Sequence, residues 1–368
     1  MFAAEMKKIW TFRTIVVIVI FSVLFFYSFL YRWIKPFRWE GDDSLSVKLD
    51  ILSDWIDQYG NTIDQAEFEE IEDGYNDILY QARSIIGENG CFKENGVEDY
   101  GDYLDYEQKA INGYEGYDYS VYSKMRSLLK ENTGYSSIWF QEYVNVMQEY
   151  REYGEEKSSI LPFEVFVYTG NYLMYLAIWC LVCVFFIAAP VMVNDRESNI
   201  VAAQYSSRIG KKTYQMQYAC TMFSAFVVVS SIAVIGMLAW GTTGAFLFAG
   251  SDISSFLNTE VFAVSVTYGK YVVLFIIMVY LLALGVSGIL FCLSAHSPNM
   301  TSMLLKAVPA LAGGILIVLL LQDTFGESNL IYCLTGKRYC EVIAAAMVLV
   351  TGVVLNLGSY KALRKKDC

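Results

Sequence analysis

Six stretches of this chain are apolar all round, with no polar face. They run over residues 14–31, 166–193, 216–240, 271–293, 303–321 and 342–360. A helix crosses the hydrocarbon core with about 20 apolar residues, so each stretch predicts a membrane span. The fifth carries Lys306 and Pro309 near its start. A lysine there reaches the interface along its own stem, and a proline in the first turns of a span is tolerated. Between the first two spans the pattern changes. Leu45, Leu49, Leu52 and Ile56 recur at threes and fours, as they do on one face of a helix. The same spacing continues through 62–86, 118–131 and 136–153, with turn signals at Glu88-Asn89-Gly90 and Asn112-Gly113. The predicted fold is an all-α integral membrane protein: six transmembrane helices, with a helical extracellular domain over 32–165.

Charge sets the predicted orientation. Short loops rich in lysine and arginine stay in the cytosol. Residues 1–13 carry Lys7, Lys8 and Arg13; the 194–215 loop carries Arg196, Arg208, Lys211 and Lys212; the 361–368 tail carries Lys361, Arg364, Lys365 and Lys366. The 241–270 loop holds a single basic residue, Lys270, at its end beside the fourth span. Six spans with both termini cytosolic satisfy these loops. The 294–302 loop is then cytosolic, and 32–165, 241–270 and 322–341 lie outside. Tyr31, Arg32 and Trp33 read as interfacial anchors after the first span, which is expected to be retained and not cleaved. The net charge of -11 is very unevenly spread. Residues 32–165 carry 29 acidic and 12 basic side chains. Such a domain repels phosphate, so nucleic acid is not an expected partner.

The chemistry is sparse. One histidine, His296, rules out most histidine-based metal sites. Cys180 and Cys183 sit inside an apolar run and read as packing residues. Cys333 and Cys340 share the 322–341 outer loop, where a disulfide is chemically permitted. Tyr100, Tyr103, Tyr106, Tyr114, Tyr117, Tyr119 and Tyr122 crowd the outer domain, either as a binding face or as ordinary helical surface. There is no phosphate-binding G-x-x-x-x-G-K-[ST] loop and no H-E-x-x-H or G-x-S-x-G motif. The spans hold almost no ionisable groups of the kind that proton-coupled carriers use as relays.

The most informative stretch joins spans two and three. Asp195 can cap a short helix, with acids in its first turn. Ile200, Val201 and Tyr205 offer an apolar stripe, and Gly210 with a basic cluster ends the segment. A short amphipathic helix there suits a soluble partner. In this the chain resembles the ABC-2 type permeases, the membrane subunits of ABC exporters. Glu197 and Ser206-Ser207-Arg208-Ile209-Gly210-Lys211 stand where that family has its opening acid and its basic turn, and Glu5, Lys7 and Lys8 lie in a segment like the family's interfacial helix. The resemblance implies an ATPase-docking coupling helix formed by Asp195, Arg196, Glu197, Ile200, Val201, Tyr205 and Arg208. It implies a separate ABC ATPase subunit carrying ATP and Mg, no cofactor on this chain, and a second permease copy or related chain. It implies no enzymatic activity of the chain's own, a place in a bacterial plasma membrane, and export of a peptide, lipid or antimicrobial compound. The alternative is a receptor or immunity protein that binds an outer ligand without transport.

Overall fold

The computed structural model describes residues 2–38, 44–200, 212–258, 260–321 and 325–365. It is all-helical among the described residues, apart from isolated bridges. Six helices are long and apolar enough to cross a membrane: Phe12–Phe37, Phe163–Glu197, Lys212–Gly241, Tyr268–Ala295, Met300–Leu320 and Cys340–Ala362. Each overlaps one predicted span. Most extend it by a turn, because the flanking polar residues complete the helix after the apolar run ends. The chain divides into two compact units: 1–36, 164–249 and 260–368 form the first, and 37–163 with 250–259 form the second.

The first unit opens with α1 (Phe2–Ile9) and α2 (Phe12–Phe25). Thr11 caps α2 by accepting from the Thr14 N–H at 3.2 Å. A π-helical turn over Phe26–Leu30 and the short α3 (Tyr31–Ile34) carry this span onward. The second span is α10 (Phe163–Ala188) followed by α11 (Val191–Glu197), with Pro190 between them. Then come α12 (Lys212–Gly241), α13 (Tyr268–Ala295), α14 (Met300–Leu320), the short α15 (Leu330–Thr335) and α16 (Cys340–Lys365). The second and fourth spans are the most enclosed, with 67% and 56% of their apolar windows buried, against 11% for the first. They form the centre, and the outer spans turn apolar side chains such as Leu24, Leu305 and Met347 outward.

Glycines hold α13 and α16 together. A Cβ at Gly352 would lie 2.5 Å from the Gly285 carbonyl oxygen, and one at Gly285 would lie 2.6 Å from the Leu349 nitrogen. Small residues allow such backbone contact inside a membrane, where dispersion and hydrogen bonds replace the hydrophobic drive. One turn beyond Gly352, the buried Asn356 donates to the Gly288 carbonyl at 2.7 Å and accepts from the Tyr214 hydroxyl at 2.9 Å. That side chain ties α16 to both α13 and α12. Pro309 differs from expectation. The helix begins at Met300, so the proline lies beyond the first turns and removes one backbone hydrogen bond inside α14. Lys306 reaches back to the His296 carbonyl at 3.4 Å.

The second unit contains α4 (Ser44–Tyr59), α5 (Gln65–Glu88), α6 (Gly90–Lys93), α7 (Tyr100–Ile111), α8 (Tyr119–Thr133) and α9 (Ser137–Tyr153). Four of these match the predicted periodic segments. Helix α7 was not predicted, although Tyr100, Tyr103, Tyr106 and Ala110 form its buried stripe and Asp99 with Asp102 makes a capping box at its start. The core is aromatic. Phe68 stacks on Tyr150 at 4.2 Å, Tyr75 on Tyr143 at 5.0 Å, and Trp55 meets Tyr143 edge-on. Each such pair contributes about 0.5–1.5 kcal/mol beyond its buried area.

The loop between the third and fourth spans supplies residues 250–259 to this unit. Ser255 donates to the Ser159 carbonyl at 2.6 Å, Asn61 donates to Ser251 at 3.0 Å, and Phe256 packs against Tyr150. The domain is therefore discontinuous, narrower than 32–165 at both ends and joined by a segment from the 241–270 loop.

Candidate functional site

A buried polar cluster joins α1, α11 and α12. Asp195, Glu5 and Gln217 are 5%, 7% and 1% exposed. Lys8 Nζ lies 3.0 Å from Asp195 Oδ2 and 3.1 Å from Glu5 Oε1. The Gln217 amide nitrogen donates to Asp195 Oδ2 at 2.6 Å and to Glu5 Oε2 at 3.1 Å. A glutamine NH₂ has two hydrogens, and here each serves one carboxylate. Burial works against the charge on Lys8, but hydrogen bonds and attraction from Asp195 and Glu5 outweigh it, so its pKa is raised.

Apolar and hydroxyl contacts extend this joint along α12. The Trp10 ring N–H donates to Ser224 Oγ at 3.0 Å, and Cys220 Sγ lies 3.7 Å from the Phe2 carbonyl. The buried face of α1 carries Glu5 and Ile9, four apart. Lys7, on the opposite face, is exposed.

The two residues after Asp195 bind two other elements. Arg196 donates through Nη2 to the Ala295 carbonyl at 2.5 Å and through Nη1 to the Ser297 carbonyl. The last carbonyls of a helix lack internal partners and carry negative partial charge. The guanidinium therefore closes the end of α13. Glu197 Oε1 accepts the Met300 N–H at 2.9 Å, at the start of α14, where Asn299 is the N-cap. On the entry side, Ser294 Oγ accepts from the Met192 and Val193 N–H groups at 3.1 and 3.3 Å and donates to the Ala189 carbonyl at 2.8 Å. It supplies the cap that Pro190 cannot give α11.

Three consecutive side chains thus hold four structural parts. Asp195 holds α1 and α12, Arg196 holds the end of α13, and Glu197 holds the start of α14. This corrects one expectation. Asp195 does not open a helix; it lies in the last turn of α11. The proline before Val191 starts that helix, and a turn at Ser198-Asn199, with Asn199 at φ 55°, ends it. Ile200 is 39% exposed just beyond. Val201, Tyr205 and Arg208 lie outside the described residues.

Sequence reasoning placed Glu5 and Lys8 in one motif and Asp195 in another, and the structure joins them. Gln217 was missed. Its signal was a side-chain amide in the first turns of an otherwise apolar span. Cys333 and Cys340 are not bonded to each other; Cys333 Sγ donates to the Glu327 carbonyl at 3.2 Å instead. Of the seven tyrosines, Tyr100, Tyr103, Tyr106 and Tyr122 are core residues, while Tyr114 and Tyr119 are exposed. Among the described residues no group of three histidine, cysteine, aspartate or glutamate side chains is arranged to hold a metal ion. The cluster and its two neighbours tie α1, α12, α13 and α14 to one short segment. Comparison with protein-family models, with curated proteins and with solved structures finds no match to this chain.

Proposed function

We propose that this chain is the permease subunit of an ATP-driven exporter of the ABC-2 kind, with a separate ATPase docking beside residues 195–200. The observation that carries the reading is the joint at Asp195-Arg196-Glu197. Force applied to one short surface segment reaches α1, α12, α13 and α14 through buried or charge-assisted bonds. Such bonds are stronger than neutral ones and hold a fixed geometry. A pump driven from outside the bilayer requires a coupling point of this kind. A passive receptor does not. On this reading the joint is cytosolic and the acidic helical unit is extracellular, in a bacterial plasma membrane, and two permease chains enclose the path of a peptide, lipid or antimicrobial compound.

Isolation of the intact chain from its native membrane in mild detergent tests this. The expected result is a co-purifying soluble protein with a G-x-x-x-x-G-K-[ST] loop, one copy per permease, and ATP hydrolysis by the complex. A chain that emerges without any such ATPase, under conditions that preserve its fold, contradicts the reading.

A further inference from the structure

The start of α13 borders a cavity of about 620 Å³ within the first unit. We propose that this cavity holds one anionic phospholipid, with its phosphate at Lys270 and Tyr339 and an acyl chain along Val273 and Leu274. The inference is independent of the transport reading, since it needs only that these helices cross a membrane.

Position is the first argument. Lys270 and Tyr339 both line the cavity. Lys270 is the third residue of α13, and Tyr339 directly precedes α16. Both therefore stand at the end of a span, where headgroups lie. Backbone bonds tie the two connections together at this end: the Ala263 N–H donates to the Phe325 carbonyl and the Glu327 N–H to the Val261 carbonyl, both at 2.9 Å. Val273 and Leu274 also line the cavity, three and four residues after Lys270. They share its helix face, about one turn deeper into the hydrocarbon. Val273 is 59% exposed. The polar mouth and the apolar wall beneath it follow the order of a lipid's own parts. The short α15, which leads toward Tyr339, leaves Leu330 and Leu334 exposed in the same connection.

Charge is the second argument. Among the described residues no carboxylate lines the cavity. Lys270 is exposed and has no ion pair among the described residues. The Tyr339 ring is set edge-on against the buried Phe325 at 5.8 Å, and its hydroxyl has no hydrogen-bond partner among the described residues. Lys337 and Arg338, both exposed, stand immediately before it. The acid closest in sequence, Glu341, is 1% exposed and accepts the Phe325 N–H at 3.2 Å, so it is withdrawn from the surface. An ammonium and a phenol hydroxyl are both donors, and a phosphate offers acceptors to each.

These features select the occupant. Inorganic phosphate has no use for the apolar wall. A zwitterionic lipid brings a cationic headgroup toward Lys270, Lys337 and Arg338, which repel it. An anionic phospholipid satisfies both the wall and the charges.

Photo-crosslinking of the full chain in phosphatidylcholine nanodiscs tests the proposal. The probe is a trace of phosphatidylglycerol with a diazirine in its acyl chain, compared with phosphatidylcholine carrying the same chain. The anionic probe is expected to label residues 266–274 about fivefold more than the zwitterionic one, the effect of one lysine near a charged headgroup. Lys270→Gln is expected to remove that preference and Lys270→Arg to keep it, which separates loss of charge from loss of fold. Tyr339→Phe is expected to weaken labelling by the anionic probe alone. Excess inorganic phosphate is expected not to compete. Equal labelling by the two lipids, an unchanged preference in Lys270→Gln, adducts spread over the spans with no excess at 266–274, or displacement by inorganic phosphate would each overturn the assignment.

Discussion

Replacing Asp195 with alanine is expected to free α1 from α12 and, on the transport reading proposed above, to uncouple ATP hydrolysis from transport. The carboxylate is 5% exposed and takes hydrogen bonds from both Lys8 and Gln217. Breaking a buried ion pair on one side costs about 3–5 kcal/mol. Lys8 is partly exposed, with 37% of its side chain open, so water takes over part of its charge and the loss is smaller. Cys220 reports the release directly. It is fully buried, with its sulfur next to the Phe2 carbonyl under α1. Maleimide labelling, mapped by mass spectrometry, is expected to be slow in the parent chain and at least tenfold faster in the variant. Asp195→Asn keeps an acceptor and is expected to fall between the two. The pH dependence follows from Lys8. Its pKa is raised in the folded chain, so its stabilising contribution is complete below the ordinary lysine value of 10.5 and is lost as pH climbs through the higher folded value. Labelling of the parent chain is therefore expected to show no opening of α1 between about pH 6 and 9, once the reactivity of the thiol itself is taken into account.

The second large effect lies between α13 and α16. Gly352→Leu places a branched side chain where even a Cβ would sit 2.5 Å from a carbonyl oxygen. A backbone cannot rotate away as a flexible side chain can. Overpacking costs about 1–3 kcal/mol where neighbours yield, and here the helices must part. Their separation also breaks the Asn356 bonds to Gly288 and Tyr214. Gly352→Leu is expected to abolish monodisperse protein on size exclusion. Gly313→Ala is the control, since a Cβ there meets nothing within 4 Å, and it is expected to leave yield unchanged. Equal loss in both variants would show that the crossing is not specific.

The spans were legible because hydrocarbon leaves a run of apolar residues no choice but a helix. Four helices of the second unit were legible from spacing, through residues such as Leu52, Ile71, Met125 and Val146. Helix α7 was obscured because its buried stripe is tyrosine, which reads equally well as surface. The role of residues 250–259 was invisible to local pattern, since Ser255 meets Ser159 across 96 positions of chain. The same limit applies to the joint. Asp195, Lys8 and Glu5 were each singled out locally, but Gln217 and the pairing that joins them depend on contacts up to 212 residues apart. Glu197 was read as a docking acid. The structure shows it accepting the Met300 N–H at the start of α14, which neither helix pattern nor resemblance encodes.

Ile200 offers the most direct test of the account's central claim. It is exposed immediately beyond the joint, and its replacement leaves Asp195, Arg196 and Glu197 intact. A photo-crosslinking residue introduced there, in the full chain in its native membrane, is expected on irradiation to form an adduct with a P-loop ATPase, identified by mass spectrometry, and to do so in a nucleotide-dependent way. Adducts confined to lipid or to another copy of this chain, with no ATPase among them, would contradict the assignment of this surface as the point where ATP-driven motion enters the membrane domain.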